Sequence, residues 1–311
     1  MIRKPVVLVT CRQMQVELPK YTAQLEALGF EVLAPDLGAR QQFSSEELQA
    51  LDLDLVGIIA GDDELDARFF SHYADRLKVV IRWGIGMDGV DHRAAAEAGV
   101  VVRNTPGVFS DEVADAAMGY LLALARGLSR VDREVRRGVW PKFEGVTLSG
   151  STIGIVGYGA IGRAIGRRAA AFGMKVFAFD PFVSSDPIAE MRPLNELAKQ
   201  SRFVVLACPL TDDTWHIADA DFFSTLSSGS FLINVARGPV VDESALIKSL
   251  ESGHLAGAGL DVFEVEPLSA NSPLRGFDGV VLGAHNGSNT REGVERASAR
   301  SIEYLIAELK R

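Results

Sequence analysis

Short apolar segments rich in β-branched residues alternate with longer amphipathic segments along nearly the whole 311-residue chain. The early segments of the first kind are Val6–Thr10, Val56–Ala60, Val79–Arg82 and Val100–Val102. They are apolar throughout instead of alternating with polar residues, which favours strands of a parallel sheet covered by helices on both faces. Repeated strand–helix units of this kind predict a doubly wound α/β fold.

A second series of such units begins in mid-chain. Its predicted strands are Ile153–Val156, Lys175–Phe179, Val204–Ala207, Phe231–Asn234, Ala256–Leu260 and Val280–Leu282. Residues 111–137, between the two series, have the pattern of one long helix, and Arg291–Leu309 that of a final amphipathic helix. Two series in a chain of this length predict two α/β domains, with the active site expected in the cleft between them.

Composition excludes several classes of protein. A net charge of -9 argues against a nucleic-acid-binding face, which needs clustered positive charge. No apolar run approaches the roughly 20 residues that cross a bilayer, and the apolar part of residues 1–10 is too short for a secretory signal. Cys11 and Cys208 are too few for a disulfide framework, and the histidines show no metal-ligand spacing. We therefore expect a cytoplasmic protein without a metal ion.

The strand Thr152–Val156 runs directly into a glycine-rich turn, Gly157–Gly162, which a helix-like segment follows. Gly157 suits the tight turn, Gly159 lets the backbone approach a diphosphate, and Gly162 allows close packing of helix against strand. Asp180 ends the next predicted strand, where its carboxylate would bind the adenosine ribose and repel a 2′-phosphate. The motif therefore predicts NAD, and the alternative is a glycine turn that binds nothing.

Three later segments place an arginine, a glutamate and a histidine after predicted strands of the same sheet. Arg237 offers a planar fork for a carboxylate, and it can polarise a neighbouring carbonyl. His285 can exchange a proton with that carbonyl oxygen, and Glu266 beside the imidazole would stabilise its protonated form. Each residue alone is more typical of an ordinary loop, but together they predict hydride transfer to or from a 2-oxo/2-hydroxy acid.

The sequence resembles the D-isomer-specific 2-hydroxyacid dehydrogenase family over most of its length. The matching segments, in order, are Arg82–Asp91, Gly157–Gly162, Pro209–Thr211, Asn234–Gly238, Asp261–Pro267 and His285–Gly287. The resemblance implies that Arg237, Glu266 and His285 are the catalytic set. It also implies a Rossmann NAD-binding domain of residues 103–285, inserted into a flavodoxin-like substrate domain of residues 1–102 and 286–311. The region 111–137 would form a homodimer contact.

The same resemblance implies the ligand contacts. Those expected for NAD, with Asp261 on the nicotinamide carboxamide, are Thr105, Gly157, Gly159, Ala160, Ile161, Gly162, Asp180, Cys208, Pro209, Val235, Ala236 and Asp261. Those expected for the substrate, with the backbone N–H groups of residues 84–86 on its carboxylate, are Arg82, Trp83, Gly84, Ile85, Gly86, Arg237 and His285. No metal ligand is implied.

Substrate identity depends on fewer residues. Arg82 is either a solvent-facing arginine or a phosphate ligand, and the second interpretation favours a phosphoglycerate dehydrogenase-like enzyme without a regulatory domain. The bulk of Trp83 would restrict the size of the acid. Glu266 argues against formate, because the formate dehydrogenase branch carries Gln there, and Ala284 replaces the usual Pro before the histidine. A glyoxylate/hydroxypyruvate reductase is the alternative, whose NADPH-linked form Asp180 opposes, and an NAD-sensing corepressor-like binding protein is the alternative of another class.

Overall fold

The computed structural model describes residues 4–38 and 40–311. The first three residues of the segment 1–10 therefore lie outside the described residues. The chain divides into two compact units. One contains the residues up to Phe109 together with Asn289–Arg311, and the other is Ser110–Ser288. Each unit has one parallel sheet with helices, so the predicted fold class, with one α/β domain inserted into another, is confirmed.

The first unit is built on a five-stranded parallel sheet. Its strands are β1 (Val6–Val9), β2 (Glu31–Leu33), β3 (Leu55–Ala60), β4 (Val79–Arg82) and β5 (Val101–Asn104), in the order β2-β1-β3-β4-β5. Its helices are α1 (Arg12–Glu17), α2 (Thr22–Ala27), α3 (Ser45–Ala50), α4 (Ala67–Tyr73), α5 (His92–Glu97) and α12 (Arg291–Leu309). This strand order is flavodoxin-like, with the direction of winding reversing between β1 and β3.

Helix α12 completes the core of the first unit. Gly57 on β3 has no side chain, and a Cβ there would lie 2.8 Å from Leu305 Cδ1, so the helix packs directly on the sheet. The Trp83 indole Nε1 donates a hydrogen bond of 3.2 Å to the Ser298 hydroxyl. Residues from the end of the chain therefore cover strands from its beginning.

The second unit has a seven-stranded parallel sheet. Its strands are β6 (Thr152–Val156), β7 (Lys175–Phe179), β8 (Glu190–Met191), β9 (Phe203–Leu206), β10 (Ser230–Asn234), β11 (Leu255–Leu260) and β12 (Val280–Leu282). The order is β12-β11-β10-β9-β6-β7-β8, so the winding direction reverses between β6 and β9. Its helices are α6 (Ser110–Arg126), α7 (Leu128–Arg136), α8 (Ala160–Ala171), α9 (Leu194–Gln200), α10 (Ala220–Thr225) and α11 (Glu243–Glu251). Ligands of doubly wound folds bind at the carboxyl ends of the strands where the order reverses.

The predicted continuous helix over residues 111–137 is wrong. Helix α6 ends at Arg126 and α7 begins at Leu128, with Gly127 between them at a φ of 59°. This left-handed conformation interrupts helical hydrogen bonding, and glycine adopts it without a Cβ penalty. A Cβ at Gly127 would also lie 2.6 Å from the Phe143 ring, so the break fits the packing of the segment after α7.

Candidate active site

The glycine turn lies at the reversal point of the second sheet. Gly157, directly after β6, has a φ of 89°, and a Cβ there would lie 2.5 Å from the backbone of Cys208, which follows β9. A Cβ on Gly162 would lie 2.2 Å from the carbonyl oxygen of Gly157. Both glycines are therefore required by the packing of the protein itself, and they bring the start of helix α8 against the end of β6.

Gly159 differs from these two glycines because its missing side chain faces open space. No heavy atom lies within 4 Å of where its Cβ would be. It is the N-cap of α8, whose first residues are Ala160 and Ile161. Helix N-termini carry unpaired N–H groups and a positive dipole end, which suit phosphate groups. The bare backbone and the helix end thus fit a dinucleotide diphosphate.

Asp180 follows β7 and connects it to the glycine turn. Its carboxylate accepts hydrogen bonds from the backbone N–H of Tyr158 (2.8 Å) and of Phe182 (2.9 Å). A carboxylate has about four acceptor sites, so it still has capacity for ribose hydroxyls. Its negative charge opposes a 2′-phosphate, which fits NAD.

The other residues predicted near the coenzyme form an apolar surface after β9 and β10. Cys208, Val235 and Ala236 are each at most 8% exposed. Burial raises the pKa of Cys208 to about 11, so its thiol is neutral near pH 7. Pro209 is exposed beside it. The segment offers nonpolar contacts instead of a nucleophile.

A buried asparagine shapes the turn that carries Arg237. The side chain of Asn234, at the end of β10, accepts a hydrogen bond from Ala236 N (3.0 Å) and donates one to the Arg237 carbonyl (3.0 Å). The guanidinium of half-buried Arg237 donates to the Ala236 carbonyl at 2.9 Å. Asn234 was not predicted as a site residue. Its place at a strand end, directly before the predicted coenzyme contact Val235, could have indicated this role.

Glu266 and His285, which follow the adjacent strands β11 and β12, are in direct contact. His285 Nδ1 lies 2.8 Å from Glu266 Oε2, and the other oxygen of Glu266 accepts a 3.0 Å hydrogen bond from Phe263 N. The His285 side chain is 24% exposed and that of Glu266 20%, so the pair is partly shielded from water and still accessible. A carboxylate on Nδ1 orients an imidazole ring and stabilises its protonated form.

Asp261 lies at the end of β11 and is 4% exposed. Its Oδ1 accepts hydrogen bonds from the Tyr120 hydroxyl (2.8 Å) and Asn286 N (3.1 Å), and its Oδ2 accepts one from Gly287 N (2.8 Å). Three of about four acceptor sites are therefore used within the protein. The contact of Asp261 with a nicotinamide carboxamide stays a prediction, and Tyr120 is a residue that the sequence did not indicate.

In the first unit, the predicted substrate-side loop follows β4. The N–H of Gly84 donates to the Thr105 hydroxyl (2.9 Å), and the N–H of Thr105 donates to the Gly84 carbonyl (2.9 Å). Fully buried Thr105 therefore supports this loop, and its contact with the coenzyme stays a prediction. The Gly84 N–H is engaged, whereas the N–H groups of Ile85 and Gly86 have no acceptor within the described chain and suit a carboxylate.

Arg82 and Trp83 are both buried in the first unit. The Arg82 side chain is 8% exposed, forms an ion pair with Asp62 and donates a 2.7 Å hydrogen bond to the Trp83 carbonyl. Trp83 is 5% exposed and packs against Phe109, with ring centroids 4.9 Å apart. The solvent-facing interpretation of Arg82 is wrong, because its side chain is buried, and the substrate contacts of Arg82 and Trp83 stay predictions.

Over the described ranges, 4–38 and 40–311, no group of three or more His, Cys, Asp or Glu residues is arranged to hold a metal ion. Within the same ranges, no helix has the length and apolar character needed to cross a membrane.

The sequence matches a known protein family. The family profile described as the NAD binding domain of D-isomer specific 2-hydroxyacid dehydrogenases matches residues 118–287, more than half of the chain. The chain belongs to this family. It is an NAD-dependent oxidoreductase that acts on 2-hydroxy acids, and its second unit is the family's Rossmann domain.

Members of the family with assigned activities are similar over most of their length. Glyoxylate reductase of Thermococcus onnurineus is 43% identical over 256 residues, which cover 77% of this chain and 76% of that protein. Hydroxypyruvate reductase of Thermotoga maritima is 40% identical over 238 residues, with coverage of 75% and 78%. The crystal structure of the TT0316 protein from Thermus thermophilus has a TM-score of 0.87 and 33% identity, covering 98% of this chain and 97% of that one.

Proposed function

We propose that this dehydrogenase reduces glyoxylate or hydroxypyruvate with NADH. The observation that carries the proposal is the 2.8 Å contact between Glu266 and His285 at the coenzyme edge of the sheet. The names of similar proteins, glyoxylate reductase and hydroxypyruvate reductase, support small 2-oxo acids as substrates. A phosphorylated substrate, the first preference from sequence, lost its support because Arg82 is buried against Asp62.

The residues of the chain have separate roles in this proposal. Arg237 binds the substrate carboxylate and polarises the adjacent carbonyl. In the first unit, the backbone N–H groups of Ile85 and Gly86 are suited to bind a carboxylate. His285, held by Glu266, donates a proton to the carbonyl oxygen during reduction and removes it in the reverse direction. The bound coenzyme supplies the hydride that reaches C2 of the acid.

The glycine turn and Asp180 would hold the coenzyme in this proposal. The open backbone at Gly159 and the N-terminus of α8 would bind the diphosphate, and Asp180 the ribose hydroxyls. We further assign the substrate-binding role to residues 1–102 and 286–311 and the coenzyme-binding role to residues 103–285.

The test is NADH oxidation at 340 nm with glyoxylate, hydroxypyruvate, phosphohydroxypyruvate and pyruvate. We expect the highest kcat/KM with glyoxylate or hydroxypyruvate, and a loss of at least about 100-fold in kcat for His285→Ala, because general acid catalysis contributes 100- to 10,000-fold. His216→Ala is a matched control, since His216 also pairs with a glutamate, Glu264, at 2.9 Å.

Two outcomes would contradict the proposal. Equal losses in His216→Ala and His285→Ala would remove the assigned proton donor. Tight NADH binding without turnover of any acid would favour the NAD-sensing binding protein instead.

We also propose a homodimer through the region 111–137, extended by the segment that follows it up to Phe143. Exposed apolar side chains support it: Leu128, Val135, Val139, Trp140 and Phe143 are 40–78% exposed. Such surfaces in one segment are typical of protein interfaces. Light scattering after gel filtration should give about twice the 33.5 kDa chain mass, and Trp140→Asp should lower it. A monomeric wild-type protein would contradict this assignment.

A further inference from the structure

Tyr120 on α6 reaches the buried carboxylate at the end of β11. Its hydroxyl donates a 2.8 Å hydrogen bond to Asp261 Oδ1. Burial, together with the neighbouring Asp261, raises the pKa of Tyr120 well above its usual value. The hydroxyl therefore keeps its proton near neutral pH and donates it in the hydrogen bond to Asp261.

Asp261 connects this hydroxyl to the loop that carries His285. Three successive backbone N–H groups end on Asp261: His285 N donates to its carbonyl (2.7 Å), Asn286 N to Oδ1 (3.1 Å) and Gly287 N to Oδ2 (2.8 Å). The first of these residues, His285, has a φ of 51°, a left-handed conformation that is uncommon outside glycine. Such conformations persist where surrounding contacts fix them, and here the three contacts converge on one residue, two of them on its carboxylate.

The chain also leaves space for the Tyr120 hydroxyl next to this loop. A Cβ on Gly283, two residues before His285, would lie 2.0 Å from the Tyr120 oxygen and 2.5 Å from Asp261 Oδ1. Any larger residue at position 283 would displace the hydroxyl from Asp261. The loop is thus packed around this hydrogen bond as well as bonded to its acceptor.

We infer that Tyr120 is a positioning residue for His285, acting through Asp261. The inference rests on the proposed function, in which His285 is the proton donor. The Tyr120 hydroxyl fixes the rotation of the Asp261 carboxylate. That carboxylate in turn holds the left-handed loop that brings His285 Nδ1 to Glu266. Without the hydroxyl, the ring of His285 would sample orientations from which the proton does not reach the substrate oxygen.

Tyr120→Phe tests this inference because it removes the hydroxyl and keeps the ring. We expect kcat for glyoxylate to fall about 10- to 100-fold, since small misplacement of a reacting group costs up to about 100-fold, while KM changes less than about two-fold. In the coenzyme-free protein, peptides that span residues 285–287 should exchange amide hydrogens about five-fold faster, as expected for the loss of one hydrogen bond.

Tyr73→Phe is the matched control. Tyr73 is also buried, and its hydroxyl donates to the Leu48 carbonyl at 2.7 Å in the first unit. Its loss should lower the melting temperature to a similar extent as Tyr120→Phe and leave kcat unchanged. A purely structural role of Tyr120 would give this same result, and that outcome would overturn the inference.

Asp261→Asn provides a second test, which still decides the inference if the Tyr120→Phe protein does not fold. It should speed exchange at residues 285–287, and adding Tyr120→Phe to it should give no further loss of kcat, because coupled residues are not additive. Unchanged exchange in Asp261→Asn, or fully additive losses, would overturn the inference. If the wild-type protein turns over no acid, the proposed function fails, and the exchange rate at residues 285–287 in Tyr120→Phe still decides the positioning role.

Discussion

Two alanine substitutions in the glycine turn should separate protein stability from coenzyme binding. In Gly162→Ala, the new Cβ would lie 2.2 Å from Gly157 O and 3.1 Å from Gly157 C, and both atoms belong to backbone that cannot rotate away. Overpacking costs about 1–3 kcal/mol, and a clash with backbone places this variant near 3 kcal/mol. For a domain of this size, that loss lowers the melting temperature by about 6–12 °C.

Gly159→Ala should behave in the opposite way. No heavy atom lies within 4 Å of the added methyl group, and the φ of −75° is one that alanine adopts. The free energy of unfolding should change by less than about 1 kcal/mol, because lower freedom of the unfolded chain offsets the weaker N-cap. The methyl group would instead occupy the surface assigned to the diphosphate, and we expect NADH affinity to fall at least about ten-fold, or 1.4 kcal/mol.

The assays are scanning calorimetry without coenzyme and fluorescence titration with NADH. The expected pattern is a stable Gly159→Ala protein that binds NADH poorly and a Gly162→Ala protein that melts early. If Gly159→Ala binds NADH as the wild type does, the open face of the turn is not the coenzyme surface. If it melts as early as Gly162→Ala, the space beside Gly159 does not accommodate a methyl group.

Three further predictions concern charge and titration. Asp180→Ala should raise the ratio of kcat/KM with NADPH to kcat/KM with NADH, because it removes the carboxylate that opposes a 2′-phosphate; an unchanged ratio would contradict this role. Burial alone would raise the pKa of Asp66 above its ordinary value of 3.8. Hydrogen bonds to the carboxylate, of which the one from the Ser45 hydroxyl is the strongest, outweigh burial and lower the pKa to about 2. Its charge therefore stabilises the fold above about pH 4 and ceases to do so as the pH falls through about 2, so the melting temperatures of Asp66→Asn and the wild type should differ at pH 7 and converge near pH 2. Burial raises the pKa of Cys11 to about 12 and of Cys208 to about 11, so iodoacetamide at pH 7.5 should leave turnover unchanged.

The sequence predicted most of the strands and missed two short strands at sheet edges. Val79–Arg82 and Lys175–Phe179 were predicted with their observed limits, because apolar runs in parallel sheets are unambiguous when both faces are covered. The edge strands Glu31–Leu33 and Glu190–Met191 were not predicted, because they have only three and two residues and each begins with a charged glutamate. Short segments of this kind carry too little periodicity to identify.

The site was predictable where its chemistry is local in sequence. The glycine turn was interpreted from its spacing together with the flanking strand, the following helix and Asp180. His285–Glu266 at 2.8 Å and His216–Glu264 at 2.9 Å are both histidine–glutamate pairs, and the places of His285, Glu266 and Arg237 after strands of the same sheet pointed to the first. Tyr120 was missed because its partner lies 141 residues away, a distance over which no spacing rule applies.

Because α12 covers the first sheet, the order of synthesis determines when that sheet is buried. Trp83 and its hydrogen-bond partner Ser298 are 215 residues apart, so the ribosome completes the inserted unit before it releases the helix that covers β3 and β4. The insert is continuous in sequence and can close its core during synthesis, whereas the flanking strands keep an apolar face open until the last 19-residue helix arrives. The strands made first are thus the last to be buried, and apolar surface that stays open during synthesis is prone to aggregation.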